Sequence, residues 1–404
     1  MIKKKQKAFE KIVKEKKFHS QFNNLCFEDQ MDIRRQALEK LTHTKLQYIN
    51  HPSFNIEHVS TKNCENLIGK VEIPLGIAGP LKIHGNYAKG NFYIPLATTE
   101  GALIASVNRG CKAVDRSGGA QVFIEKSGMT RAPLFRTKGL KQTKKFIAWI
   151  NTHLKEIAER VHKTDSHLTL LSITPFIVGR NVFLRFVFDT QDAMGMNMVT
   201  IACNYIRNYI EKEMKVECVA LSGNVCTDKK PSWINKIEGR GYSVHAEARI
   251  PKNIIREILK TDLEKIIEVH INKNLVGSSI SGSMGFNAHH VNIIAAIFAA
   301  TGQDLAQVVE GSIGNTIFEK TGEDLYASVS IPDLPLGTVG GGTQLETQKE
   351  ALSILGVAGG GNPPGSHAKK LAEIVVSATL AGEISLISSL AQGSLAHAHQ
   401  KLGR

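Results

Sequence analysis

Apolar and polar positions change their spacing several times along the chain. Within Met1–Lys17, Ala8, Phe9, Ile12 and Val13 sit among lysines at helical spacing. Asp29–Leu41 sets Met31, Ala37, Leu38 and Leu41 among charges, a second helical stretch, and Pro52 interrupts any continuation. From Asn63 the texture turns to β. Val71, Ile73 and Leu75, then Leu81 and Ile83, read as strand runs broken by Gly76, Gly79 and Pro80, and Asn91–Leu96 as another short strand. Thr98-Thr99-Glu100 opens a helix over Gly101–Cys111, with a threonine available as N-cap.

A different texture fills residues 134 to 220. Lys144–His162 carries Phe146, Ile147, Ile150, Leu154, Ile157 and Val161 at amphipathic helical spacing. Leu168–Val178 and Asn181–Phe188 read as strands, Asn197–Lys215 as a helix and Val216–Ser222 as a strand. That order is the signature of a small α+β sandwich, inserted into a larger domain. Residues 223–404 are richer in Gly and Ala. Ile254–Val269 reads as one helix, and Ala368–Leu390 as a long apolar one. His289–Glu310 is apolar all round, interrupted by Gly302-Gln303-Asp304, and is expected to be buried. The expected fold class is α+β. It divides into a helical N-terminal region (1–62), a large mixed domain around a long buried helix (63–132 and 222–404), and the small insertion (133–221). No repeat of 20–50 residues is visible.

Composition narrows the classes. The 404 residues are 42% hydrophobic and 22% charged, an ordinary globular mixture that excludes a disordered chain. No run reaches the roughly 18 uninterrupted apolar residues of a membrane span, so no span is expected. Met1–Lys17 is basic but lacks the apolar segment of a secretory signal, so the expected compartment is the cytoplasm. Lys+Arg 50 against Asp+Glu 37 gives +13, and eight lysines against two glutamates in Met1–Lys17 supply much of it. A solvated helical arm is the plain reading of that segment, with nucleic-acid or acidic-membrane binding as alternatives. The remaining positive charge also suits an anionic small-molecule substrate. Six cysteines without a CxxC pair read as free thiols, not as a disulfide framework or a zinc site, and no metal is expected. Cys226, with Lys229 and Lys230 nearby, reads as incidental rather than nucleophilic.

Four features carry candidate chemistry. Glu100 sits at the expected helix start, where a carboxylate is either a helix-dipole charge or a catalytic acid. Ser222–Pro231 gathers hydroxyls, an acid and two adjacent lysines after a strand, as a solvated loop or as the lid of an anionic pocket. Asp304 lies within the most apolar helical run, so it needs a partner or a proton. Gly277–Gly285 and Gly337–Thr343 let backbone approach a ligand closely. Neither GxGxxG after the first strand nor GxxxxGK[ST] is present, so a nucleotide site must have another design.

Taken in order, Thr98–Gly101, Asp192-Ala193-Met194-Gly195-Met196-Asn197-Met198, Thr227–Pro231 and Gly337–Thr343 resemble 3-hydroxy-3-methylglutaryl-CoA (HMG-CoA) reductase. The resemblance runs from Glu65 to the C-terminus, with Glu65–Gly69 resembling the family's dimerisation segment, and the Ser222–Pro231 loop resembles class I enzymes. It implies a soluble catalytic portion that reduces the HMG-CoA thioester to mevalonate and CoA in two hydride steps, on the mevalonate route to isoprenoids. It implies that Lys229 is the catalytic lysine, Glu100 the proton donor, Asp304 their hydrogen-bonding link, and His399 the group that protonates the leaving CoA thiolate. Arg131, Ser222, Asp228, Lys230, Lys273 and Asn292 match substrate positions. Asp192, Met194, Met196, Val339, Gly340, Gly341 and Gly342 match cofactor positions. The small insertion would then be a ferredoxin-like NAD(P)-binding unit, the cofactor NADPH, and the assembly a homodimer or homotetramer with shared active sites. Two departures stand out. Asp165-Ser166-His167-Leu168 lies where NADPH-using relatives carry a Ser-Arg pair, which leaves NADH open. Next to Phe286-Asn287 the chain is one residue shorter than animal relatives.

Two other classes compete. One is a basic nucleic-acid-binding protein, although aromatics are only 6% and no stacking motif accompanies the charge. The other is a catalytically degraded scaffolding member, which the presence of Glu100, Lys229, Asp304 and His399 opposes.

Overall fold

A computed structural model describes residues 2–19, 22, 24–50 and 52–393. Helix α1 (Ile2–Glu15) lays Ala8 and Ile12 against Ile33 and Ala37 of α2 (Phe27–Thr42). Lys5 pairs with Asp29, while Lys3, Lys4, Lys7, Lys11 and Lys14 are exposed. Helix α3 (Ile56–Lys62) is capped by Asn55, whose side chain accepts the His58 N–H.

Strands β1 (Leu75–His84) and β2 (Lys89–Ala97) form a hairpin that buries Leu81, Ile83, Phe92, Ile94 and Leu96. The register slips between Ala78 and Leu81, where Pro80 has no N–H to give the ladder. Val71 and Ile73 precede β1 rather than joining a strand, and both are exposed. Helix α4 (Leu103–Arg116) starts two residues later than the sequence suggests. Ala102 holds its N-cap position at φ 71, and the Thr98 hydroxyl accepts the Glu100 N–H instead. Glu100 therefore sits in the turn before the helix.

Strand β3 (Ala120–Arg131) belongs to both sheets. Gln121–Gly128 pairs with β8 (Arg240–Ile250), whereas Met129–Arg131 pairs with β6 (Asn181–Asp189). At the changeover a Cβ on Gly128 would come within 2.5 Å of Val187 Cγ1, so only glycine allows the approach. The smaller sheet is antiparallel: β6 lies between β5 (Thr169–Val178) and β4 (Leu134–Arg136), with β7 (Glu217–Ala220) outside β4. Alternate residues Val182, Leu184, Phe186 and Phe188 face α5 (Leu140–Thr152), α6 (Leu154–His162) and α7 (Met196–Met214) in one apolar cluster. The expected single helix over Lys144–His162 breaks at His153, whose φ of −107° and ψ of 15° fall outside helical values.

The larger sheet continues from β3 and β8 to β10 (Asp324–Leu334) and β9 (Asn315–Thr321). Short α8 (Trp233–Glu238) precedes β8. Beyond β8, α9 (Lys252–Ile254) widens into a π turn that Lys260 ends at φ 54. The chain restarts in α10 (Leu263–Val269), with Asp262 at its N-cap position, and runs through a π segment into α11 (Ser278–Ser281). The expected Ile254–Val269 helix is therefore two pieces. Helix α12 (His290–Thr301) ends at Gly302, φ 70, and a 3-10 turn over Leu305–Gln307 leads to α13 (Val308–Gly311). After the glycine loop come α14 (Glu346–Ile354) and α15 (Ser366–Gln392).

Helix α15 is the axis of the larger domain, buried almost all round from Leu371 to Ile387. Its length and composition would suffice to cross a membrane, yet it packs on α4, α12, β3, β8 and β10. Its buried carboxylates are tied to backbone. Glu373 accepts N–H groups of Asn86, Tyr87 and Ala88. Glu383 accepts those of Ala288 and His289 and the Thr316 hydroxyl. The fold is thus a large mixed layer around a buried helix with a smaller α+β unit at its side.

Candidate active site

The loop after β7 is held one residue at a time. The Thr227 carbonyl accepts Asn235 Nδ2 at 3.0 Å. Asp228 Oδ1 accepts from Arg240 and from Gln307, each at 2.9 Å. The Lys229 N–H donates to Glu310 Oε1. Lys229 is left-handed, at φ 60, a conformation that persists in a non-glycine residue when its surroundings hold it. Its Nζ lies 2.7 Å from Asp304 Oδ2.

Asp304 is not buried within an apolar helix. Gly302 has already closed α12, and Asp304 caps the next turn through the Ala306 N–H at 3.1 Å. Its carboxylate is half-buried, 29% exposed, and meets Lys229 at the surface. Glu100 is exposed, and its described side-chain partner is Asn292 Nδ2 at 3.4 Å. Asn292 lies in the first turn of α12 and Asp304 beyond its end. The ~1.5 Å rise per residue puts the two pairs at opposite ends of that helix. Among the described residues no hydrogen bond joins Glu100 to Lys229 or Asp304. His399 lies outside the described residues.

Arg131, at the seam between the sheets, donates to Thr200 Oγ1 at 2.8 Å. Ser222 Oγ is 3.5 Å from Cys226 Sγ, and the thiol is buried, so it offers no surface nucleophile. Lys230 is exposed, its Nζ turned back to the Asp228 carbonyl. Asp228, matched to a substrate position, also bonds Arg240 and Gln307 through Oδ1. Beside Pro231 opens a cleft of about 750 Å³ lined by Lys273, Ser278, Ser283, Asn287 and Ser312, with polar groups on both walls.

Asp192 is buried, 5% exposed, and works as a clamp. Its carboxylate accepts the N–H groups of Gly361, Gly365 and Ala368 at 2.7–3.0 Å, closing the start of α15. Its carbonyl accepts those of Thr338 and Val339. A Cβ on Gly337 would lie 2.3 Å from Met194 N, so the Asp192–Met194 backbone and the glycine loop need glycine to meet. Gly340 and Gly341 are exposed and left-handed, with open space at their Cα atoms. Met194 is half-buried, and Met196 is buried with its sulfur 3.0 Å from Arg240. Exposed glycine backbone beside a thioether wall fits the flat, amide-bearing end of a dinucleotide. Among the described residues no group of three or more His, Cys, Asp or Glu side chains is placed to hold a metal ion.

Beneath the loop lies a polar network that the motifs do not reveal. Arg240 and Glu310, both fully buried side chains, form an ion pair. Burial opposes the Arg240 charge, but Glu310, Asp333 and Asp228 outweigh it and raise the pKa. Burial, followed by the neighbouring Glu310 carboxylate, pushes Asp333 well above the usual carboxylate range. Asn235 donates to Asp333 Oδ2 at 2.7 Å. A sequence hint did exist: Arg240 stands between glycines ahead of an apolar strand, and Glu310 follows Val308-Val309.

Comparison with known proteins points to one family. A family model described as Hydroxymethylglutaryl-coenzyme A reductase matches residues 30–404. The 3-hydroxy-3-methylglutaryl-coenzyme A reductase of Aeropyrum pernix is 54% identical over 374 residues, 92% of this chain and 89% of that protein. The Pyrococcus abyssi enzyme of the same name is 55% identical over 376 residues, 92% of each. A solved class II 3-hydroxy-3-methylglutaryl-CoA reductase from Streptococcus pneumoniae, bound to NADPH in open conformations, superposes with a TM-score of 0.67 at 19% identity. It covers 88% of this chain and 96% of that one, a likeness of fold.

Proposed function

The chain belongs to the hydroxymethylglutaryl-coenzyme A reductase family, and on that premise we propose how its residues divide the work. It reduces HMG-CoA to mevalonate, a reaction of the mevalonate pathway. The bound dinucleotide supplies hydride. We assign that role to NADPH, held by Asp192–Met196 and the Val339–Gly342 loop, with HMG-CoA entering the cleft lined by Lys273 and Ser278.

Hydride addition to a thioester leaves negative charge on the former carbonyl oxygen. The Lys229 ammonium is the group that faces that charge, and a fixed cation there lowers the barrier. Asp304 holds Lys229 Nζ at 2.7 Å, so the ammonium is oriented before substrate arrives. Glu100 delivers the proton to the reduced oxygen, with Asn292 setting its position. His399 protonates the departing CoA thiolate from the C-terminal tail. Arg131, Ser222 and Lys230 surround the substrate's free carboxylate, where charge-assisted bonds are strong.

Because Glu100 and Lys229 stand at opposite ends of α12, one chain does not complete the site. Pairing of two subunits brings the Glu100 end of one chain to the Lys229 end of another. The exposed apolar run Val71, Ile73, Leu75 and Ile77 after Glu65–Gly69 supplies surface for that contact.

The observation that carries this reading is the Lys229–Asp304 pair on an individually tethered loop. The deciding experiment follows HMG-CoA-dependent oxidation of NADPH and of NADH by absorbance. Turnover with release of free CoA thiol is expected, and none with either dinucleotide would overturn the assignment.

A further inference from the structure

Asp304, Gln307 and Glu310 recur at every third position through the 3-10 turn and α13, and each reaches the same stretch of the substrate loop. Asp304 takes Lys229 Nζ, Gln307 donates to Asp228, and Glu310 accepts the backbone N–H of Lys229. Spacing of three puts them on one face. The segment therefore grips Lys229 at both ends, by its ammonium and by its peptide.

The peptide end matters because Lys229 is left-handed. A left-handed backbone is unfavourable for a non-glycine residue and relaxes unless it is held. Were that peptide free to relax, the direction of the side chain would change with it. We infer that Glu310 is a positioning residue for Lys229: its buried carboxylate fixes the Lys229 backbone so that the ammonium faces Asp304 and the substrate. The inference rests on the role given to Lys229 above.

The surroundings explain why a carboxylate is needed. Glu310 lies between two donors, the Lys229 N–H on Oε1 and Arg240 on Oε2. A carboxylate accepts from both sides, whereas a glutamine amide has one acceptor oxygen and would turn its NH2 toward one of the donors. Arg240 is itself pinned by Asp228 and Gln307, so the anchor behind Glu310 cannot drift. Glu310 touches neither the cleft nor the surface. Its route to the reacting atoms is through Lys229.

The test compares wild type with Glu310→Gln and Glu310→Asp in kcat, KM for HMG-CoA and thermal midpoint. Glu310→Asp keeps the charge against Arg240 and withdraws the oxygen from the Lys229 N–H by one methylene. It carries the test if the glutamine variant does not fold. The expected result is a kcat lowered about 10- to 100-fold with KM within about twofold, the pattern of a misplaced group rather than lost binding. Folded variants with wild-type kcat, or a loss confined to KM, would overturn the inference while leaving the assigned reaction standing. A wild-type protein with no HMG-CoA turnover would bring down the reaction and this inference together.

Discussion

Lys229 Nζ and Asp304 Oδ2 meet at 2.7 Å in a half-open setting, their side chains 45% and 29% exposed. An ion pair so close to water adds little to folding, since its Coulomb gain is screened and two long side chains are immobilised. Its weight lies in direction: the carboxylate keeps the ammonium where charge develops. Replacing Lys229 with Ala should therefore leave the thermal midpoint nearly unchanged while turnover falls by about 10²- to 10³-fold, the loss typical of removing one oxyanion-stabilising group. Steady-state kinetics beside a melting curve reads both, and retained turnover in a folded variant would defeat the role of Lys229.

Asp192 should behave in the opposite way. Its carboxylate takes three backbone N–H groups at the start of α15, the axis of the larger domain. Asp192→Ala strands those donors in a buried place, at a cost of about 1–3 kcal/mol for an unsatisfied polar group. The same side chain ties the Asp192 backbone, on which Thr338 and Val339 rest, to the start of α15, so its loss should loosen the glycine loop and raise KM for the dinucleotide as well. Urea unfolding and cofactor titration measure the two effects. A change in KM alone would make Asp192 a ligand and not a clamp.

The residues that the motifs pointed to differ from those that hold them in place, and the difference is physical. Thr227–Pro231 and Gly337–Thr343 are local strings, readable because a loop that handles anions needs lysine and glycine in short order. Helices with a clear apolar face, such as Asn197–Lys215, also emerged close to their observed limits. Strand β8 did not, although Val244, Ala246, Ala248 and Ile250 alternate with His245, Glu247 and Arg249: its first half, Arg240 to Val244, is buried on both faces, and alanine and glutamate are weak strand formers. Asp304 was expected inside a helix because its neighbours are apolar, while Gly302 ends the helix through a left-handed backbone. The Arg240–Glu310 pair spans 70 residues, and no local spacing announces a partner so distant.

Cofactor choice offers a third test. Asp165–His167 forms a turn in which the Asp165 carboxylate accepts the His167 N–H at 2.9 Å. If the ribose 2′-phosphate lies beside this turn, as the resemblance implies, the Asp165 carboxylate would oppose it. His167→Arg adds a permanently charged, bidentate phosphate donor, so it should raise kcat/KM for NADPH relative to NADH. The ratio of the two is the measurement, and an unchanged ratio would place the 2′-phosphate elsewhere.

The buried acid beneath the loop makes the last prediction. Asp333 has its pKa raised in the folded chain, first by burial and then by Glu310. The folded state therefore binds a proton that the unfolded chain releases once pH passes the ordinary carboxylate range. More protons on the folded side mean that stability falls as pH rises through that interval, until Asp333 would ionise in place. The groups facing it are Glu310 on α13, Arg240 on β8 and Asn235 on α8, with Asp228 sharing Arg240 and Arg185 close by on β6. Asn at 333 copies the protonated acid: its carbonyl can still accept from Asn235, and its NH2 stands where the acid hydroxyl would be. Asp333→Asn should thus be at least as stable as wild type at neutral pH and lose less stability between mildly acidic and neutral pH. Other titrating groups, such as Glu373 and His290, are common to both proteins and cancel in the comparison. Urea midpoints across that range decide the matter. Parallel pH profiles, or an asparagine variant clearly weaker at neutral pH, would show that Asp333 carries its charge beside Glu310 and that Arg240 neutralises both.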